Sequence, residues 1–166
     1  MTFGWRIVPY GQQPGREEFR CGVEELDHYL RANAAQQVRR GLTALMVCEE
    51  PVSKRIVGYY TLSSYKIVTD SLPADARKGL PTFVPATLLG RLAVDTEYQG
   101  QRLGATLLTH AMKRSADAAE VVASYALVVD AKDDVAKSFY RHFGFREFAD
   151  VPSRLFIPMR QLRVAR

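Results

Sequence analysis

Cysteine is scarce in this 166-residue chain. The two present, Cys21 and Cys48, stand in unrelated contexts, one beside a helix start and one inside an apolar strand. That placement supplies neither a disulfide framework nor a metal site, so two reduced, buried thiols and no metal are expected. Long apolar runs are missing as well. None approaches the roughly 18 residues of a membrane span, and the opening MTFGWRIVPYGQQPG has no signal-peptide core. The expectation is a cytoplasmic protein with no membrane partner. Internal repeats and low-complexity tracts are also absent.

Apolar residues make up 47% of the chain and charged residues 25%, the composition of an ordinary globular protein. Residues 1–166 suit one domain with a substantial core. A net charge of +5 and a pI near 9.4 permit a polyanionic ligand without naming one.

Residues Gly4 to Pro9 read as a strand, followed by a polar loop through Arg20. Val23, Leu26, Leu30, Ala34 and Val38 recur at three- and four-residue steps and predict a helix stopped by Gly41. Its polar side and end carry Arg31, Gln36, Gln37, Arg39 and Arg40. Leu42 to Cys48 is a central-strand run, and Pro51 to Lys54 turns it into an antiparallel partner, Arg55 to Val68. Thr69 to Pro85, with three prolines and the pair Arg77 and Lys78, is expected to be a surface excursion with one helical turn after Pro73.

The chain is organised around Leu88 to Leu108. A strand (Leu88 to Val94) leads into a turn bearing Gly100 and Gly104, then into a helix with apolar positions Leu103, Leu107, Leu108 and Ala111, extending to about Val121. Such a turn leaves backbone N–H groups unpaired at the positive end of a helix dipole, which is an anion site. A strand (Tyr125 to Asp130), a helix (Asp133 to Phe143) and two strands (Phe145 to Phe148, Arg154 to Met159) follow. The order β-α-β-β-β-α-β-α-β-β predicts an α/β fold with a mixed central sheet of about six to seven strands flanked by helices.

Gln99-Gly100-Gln101-Arg102-Leu103-Gly104 resembles the acyl-CoA signature R/Q-x-x-G-x-G/A of the Gcn5-related N-acetyltransferase (GNAT) family, with Arg102 where the first glycine usually stands. The resemblance spans almost the whole chain and implies a single-domain GNAT fold using acetyl-CoA. It assigns Gln99, Gly100, Gln101, Arg102, Leu103, Gly104 and Ala105 to the pyrophosphate. The main chain at Leu92, Ala93 and Val94 is assigned to the pantetheine arm. Arg102 can still donate its N–H, with its side chain outward towards the cofactor's ribose phosphate, and is strained if its φ is positive.

Asp133 to Phe145 is similar to the family's N-x-x-A-x-x-F-Y-x-x-x-G-F helix. Asp133 replaces the usual Asn as a cofactor contact, the small Ala136 leaves room for the cofactor, and Tyr140 shares their stripe. The resemblance makes Tyr140 the catalytic acid, since the thiolate expelled when an amine attacks a thioester needs a proton or hydrogen-bond donor. No base stands out among His28, His110, His142 and Glu97. An α-amine, with a pKa near 7.7–8, needs less help than a lysine near 10.4, which favours an α-amino acceptor.

Phe19, Cys21-Gly22, Leu26-Asp27, Tyr29-Leu30 and Ala34 to Gln36, with Arg91-Leu92-Ala93-Val94-Asp95 and Leu155 to Met159, are similar to one branch of that family, the toxin–antitoxin acetyltransferases of aminoacyl-tRNA. Acetylation would block translation by removing the nucleophile. Arg91, Arg77, Lys78, Arg39 and Arg40 are the expected tRNA contacts. The branch implies a homodimer and a ribbon–helix–helix antitoxin, with operator DNA bound, and the operon repressed, only through that complex. The competing readings are an acetyltransferase of protein N-termini or small amines, and a non-catalytic acyl-CoA-binding or regulatory module.

Overall fold

The computed structural model describes residues 4–164. Strands β1 (Arg6–Pro9), β2 (Ala44–Glu49), β3 (Ile56–Val68), β4 (Phe83–Val94), β5 (Ala126–Asp130), β6 (Arg146–Glu147) and β7 (Arg154–Pro158) form one sheet in the order β1-β2-β3-β4-β5-β7-β6. The β4–β5 pair is parallel, and β1–β2, β2–β3, β5–β7 and β6–β7 are antiparallel, as a mixed sheet requires. The helices are α1 (Glu24–His28), α2 (Ala34–Arg39), α3 (Ala74–Arg77), α4 (Leu103–Ala118), α5 (Asp134–His142) and α6 (Met159–Val164). Among the described residues no helix is long and apolar enough to cross a membrane.

Backbone contacts divide the chain into two compact units: residues up to 63 with 90–111, and residues 64–89 with 112 onward. In the first, Phe19, Tyr29, Leu30, Leu45, Val47, Ile56, Tyr59 and Ala93 form a buried cluster. All but the first residue of β2 are buried, which is why its sequence reads as a continuous apolar run rather than an alternation. The stripe Leu103, Leu107, Leu108 and Ala111 turns α4 inward, each residue at most 1% exposed. A side chain at Gly58 would come within 3.0 Å of Leu107, so glycine there permits the close approach of helix and strand. Cys21 and Cys48 are buried and unpaired with each other.

The second unit is built on Ile67, Leu72, Val84, Ala86, Ala126, Val128, Phe148 and Phe156. Arg146 on β6 grips Asp75 on α3 through two hydrogen bonds of 3.0 and 2.8 Å.

Three boundaries differ from expectation. The helix predicted from Val23 is interrupted by a π-helical turn, Tyr29–Asn33, between α1 and α2. Strand β4 begins at Phe83, inside the segment predicted as excursion. There, buried Val84 and Ala86 alternate with exposed Phe83 and Pro85, a half-buried strand pattern that the proline hides. Helix α4 stops at Ala118, where the N–H groups of Val121 and Val122 turn back onto the Ala118 carbonyl. The closing α6 was not predicted.

Replacing the fully buried Leu107 with alanine is expected to lower stability by about 3 kcal/mol, read as a lower urea midpoint at an unchanged slope.

Candidate functional site

In the first unit, β4 runs out at Val94, and a short 3₁₀ turn (Thr96–Tyr98) leads to the loop that opens α4. The loop's shape is fixed from behind. Asp95, only 4% exposed, accepts hydrogen bonds from the backbone N–H groups of Glu97 (3.0 Å) and Arg20 (3.2 Å), while Thr96 N–H donates to Arg20 O at 2.8 Å. The Gln99 amide nitrogen donates to Val94 O at 2.9 Å and Cys21 O at 3.0 Å. Gln99 therefore braces the loop with its side chain, where a direct ligand contact had been expected of it.

Two left-handed residues then turn the chain, Gly100 at φ 81° and Arg102 at φ 63°. The strain foreseen for Arg102 is present, and an αL side chain costs roughly 1–2 kcal/mol. Its guanidinium lies on the exposed side. Among the described residues, the backbone N–H groups from Gly100 to Ala105 donate no hydrogen bond, so they stand as free donors at the start of a 16-residue helix. Leu103 points into the core at 1% exposure, and Ala93 is equally inward at 4%; neither side chain is offered to a ligand, and each contributes main chain alone. Leu92 and Val94 are half-buried, Gln101 is exposed and Ala105 is half-buried.

Gly104 shows what the loop is shaped for. Glycine within a helix is about 1 kcal/mol worse than alanine, and nothing in the protein demands it here: an added Cβ would meet only Val94 Cγ2, at 3.9 Å. The space is left open beside the free N–H groups. The cradle fits a pyrophosphate, which needs close backbone approach and several donors.

In the second unit, Asp133 is the cap of α5. Its Oδ1 accepts from Ala136 N–H at 2.8 Å, which satisfies one of the helix's orphan donors, a bond that the usual asparagine could also accept. Ala136 is half-buried in the first turn. Tyr140, 8% exposed, sits against the rings of Phe139 and Phe145 at centroid distances of 5.4 and 5.6 Å. Burial, reinforced by the negative charge of Asp130, pushes its phenol up to about 12. The hydroxyl thus keeps its proton throughout the physiological range.

Arg91 stands over the Tyr29 ring, its guanidinium carbon 3.5 Å from the centroid, and the Tyr29 hydroxyl donates to Gln37 Oε1 at 2.8 Å. Burial raises the Tyr29 phenol, with Arg91 and a Thr43 hydrogen bond acting the other way. Arg39 and Arg40 are exposed at the end of α2. In the second unit, Arg77 donates to Asp70 O at 2.9 Å, which ties it to its own loop, and Lys78 is exposed. The possible bases are otherwise engaged or outward: His110 Nδ1 is 2.8 Å from the Tyr60 hydroxyl, Glu97 pairs with Arg55 at 3.2 Å, and His28 and His142 are exposed. Among the described residues no group of acids, histidines or cysteines is arranged to hold a metal.

The acetyltransferase (GNAT) domain profile matches residues 42–147, which include β2 to β5, the open loop and α5. The chain belongs to the GNAT acetyltransferase family. A tRNA-acetylating toxin of Mycobacterium tuberculosis is 37% identical over 146 residues, covering 87% of this chain and 86% of the relative. The toxin AtaT complexed with acetyl-methionyl-tRNAfMet superposes with a TM-score of 0.90 at 28% identity, over 97% of this chain and 98% of that one. A tyrosine-to-phenylalanine mutant of AtaT, bound to the C-terminus of the antitoxin AtaR and acetyl-CoA, matches with a TM-score of 0.83 at 26% identity over 97% of each.

Within this GNAT chain, the sequence puts Gln37 on the polar face of the helix and Tyr29 in the branch motif, and links neither to the other. They sit eight positions apart on one helical segment, and the π-turn between them is invisible to a 3.6-residue count.

Two substitutions separate the loop's backbone from its side chains. Gly104→Ala is expected to weaken acetyl-CoA binding about tenfold, measured by calorimetry, without lowering thermal stability. Arg102→Gly exchanges the left-handed strain for glycine's freedom and should raise stability by no more than about 1 kcal/mol in denaturant titration.

Proposed function

We propose that this chain is the toxin of a toxin–antitoxin pair and moves an acetyl group from acetyl-CoA to the α-amino group of aminoacyl-tRNA, which blocks translation. The observation that carries the reading is its 37% identity, over 87% of its length, to a tRNA-acetylating toxin. The AtaT complex with acetyl-methionyl-tRNAfMet supports the same acceptor class. A translating cytoplasm is the compartment this substrate implies.

In this reading the N–H groups from Gly100 to Ala105 hold the pyrophosphate, and main-chain groups at Leu92 to Val94 hold the amide-bearing arm. When bound, acetyl-CoA supplies an acyl group on a sulfur leaving group. The neutral amine attacks the acyl carbon; the C–N bond forms, the C–S bond breaks, and the amine's surplus proton leaves to water. Tyr140 is the residue assigned to donate a hydrogen bond to the departing sulfur; kept protonated by burial, it is available as donor at every physiological pH. Arg91, held over the ring of Tyr29, and the exposed Arg39, Arg40 and Lys78 are the contacts assigned to RNA phosphates, while Arg77, expected among them, is spent on the Asp70 carbonyl. A homodimer, with a ribbon–helix–helix antitoxin through which operator DNA is bound and the operon repressed, completes the reading. The AtaT structure bound to its antitoxin's C-terminus supports the antitoxin.

Incubation with acetyl-CoA and a charged tRNA pool should yield N-acetyl-aminoacyl-tRNA; acetylation of peptides or polyamines alone would reject the acceptor. Tyr140→Phe is expected to bind acetyl-CoA as the parent does and to lose about 10²–10⁴-fold in turnover. The pH–rate profile should rise through about pH 8 as the α-amine deprotonates and then stay flat past pH 10, because the Tyr140 proton is lost only near 12. An alkaline fall centred near pH 10 would assign the limb to some other group.

A further inference from the structure

The first unit contains a cavity of about 520 Å³ that the acetyl-CoA reading does not use. Tyr10, Gln12, Arg16, Val38 and Arg39 line it. The volume falls in the range of small-ligand sites, roughly 300–1,000 Å³.

Its floor is apolar and fixed. Tyr10 and Val38 both pack against the buried cluster of Phe19, Leu30 and Tyr59, so part of each side chain is anchored and the rest faces the cavity. Its rim is cationic. The half-buried Arg16 places Nη1 3.5 Å from the Tyr10 hydroxyl and Nε 3.7 Å from the exposed Glu17 carboxylate, a long, solvated pair that leaves its charge available. Arg39 has no ion pair among the described residues.

Between floor and rim the backbone is strained. Gln12 is held at φ 77°, a left-handed conformation in a residue that is not glycine. Its neighbour Gln13 holds the turn in place: Oε1 accepts from Gly11 N–H at 2.8 Å, and the amide nitrogen donates to Glu49 Oε2 at 3.1 Å. Strain kept by such over-determined surroundings marks functional turns. Here it sets the exposed Gln12, with one donor group and one acceptor in its amide, at the mouth.

A flat ring fixed below, two guanidinium groups above and one free amide at the edge match the parts of a nucleotide: a base face to stack, a phosphate to neutralise and a base edge to hydrogen-bond. A base pair inside a helix is stacked on both faces and offers none to such a floor. A carboxylate side chain would use the arginines and leave the ring uncovered. We propose that this cavity takes one unpaired nucleotide of the RNA acceptor, stacked on Tyr10 with its phosphate between Arg16 and Arg39. The assignment rests on the tRNA reading and deepens it, adding Tyr10, Arg16 and Gln12 to the acceptor side.

The test is fluorescence anisotropy of the whole protein with a labelled single-stranded oligoribonucleotide of about ten nucleotides and with the same sequence as a blunt duplex. The single strand is expected to bind more tightly. Arg16→Ala with Arg39→Ala should weaken it about 30-fold and flatten the log–log salt dependence by about 0.7, the share of the one phosphate they hold. Tyr10→Leu should weaken it about tenfold at an unchanged salt slope, with thermal melting confirming the fold of each variant. Competition by AMP at millimolar concentration would show that a free nucleotide suffices, and failure to compete would show that the strand is required; both keep a nucleotide in the cavity. Equal affinity for strand and duplex, or strand binding indifferent to all three substitutions, overturns the proposal. So does an acidic peptide whose binding, in place of the strand's, is lost in the double variant. If the wild-type protein acetylates charged tRNA and strand binding ignores these residues, this assignment falls alone. If binding depends on them and no aminoacyl-tRNA is acetylated, the functional reading falls and the RNA site stands.

Discussion

The site depends on a set of backbone N–H groups that the protein itself declines to pair. From Gly100 to Ala105 no donor is spent inside the described structure, and the chain bears two left-handed residues, one of them an arginine, to keep it so. Unpaired donors buried without a partner would each cost on the order of 1–3 kcal/mol, so such a loop is tolerated only where water or a ligand reaches it. The bracing behind it makes sense in that light. Asp95 and Gln99 spend their polar atoms on the backbone of Arg20, Cys21, Val94 and Glu97, which holds the donors in one arrangement instead of letting them collapse onto nearby carbonyls.

Much of this was legible in the sequence, and the division between what was and what was not has a physical origin. Periodicity reports burial, so the stripe Leu103, Leu107, Leu108 and Ala111 and the continuous run of β2 were readable, because each residue's face follows from its spacing. Periodicity does not report hydrogen-bond partners. Asp133 looked like a departure at a cofactor contact, and only coordinates show its carboxylate closing the first turn of α5. The π-turn at Tyr29–Asn33 breaks the rule on which the reading was based, and the hydrogen bond between Tyr29 and Gln37 lies on the helix that carries it. Proline misled in the opposite direction: Pro85 suggested a loop where the alternation of Val84 and Ala86 already specified a strand.

Charge was the least legible quantity. A net +5 says nothing of which cations are free, and the structure separates them. Arg146 is committed to Asp75, Arg154 to Asp130 and Arg55 to Glu97, all within hydrogen-bonding distance, and Arg77 is occupied by a carbonyl. Arg91 is different in kind. Its partner is a ring, and a cation–π contact spends none of the guanidinium's N–H donors on an oxygen acceptor.

The proton inventory bears on how much Tyr140 is asked to do. Once a neutral amine has bonded to the acyl carbon, its nitrogen carries a proton too many, while the sulfur that leaves is one proton short, so the transfer as a whole needs no net acid or base. A thiolate from a thiol with a pKa near 8.5 is a far weaker base than the phenolate of a tyrosine raised to about 12, so full proton transfer from Tyr140 to such a sulfur runs uphill. A hydrogen bond that strengthens as charge develops on sulfur avoids that cost while still favouring the bond-breaking step. In the proposed reaction, burial among Phe139 and Phe145 therefore suits Tyr140 to hydrogen-bond donation and not to ionisation, because its phenol keeps its proton at physiological pH.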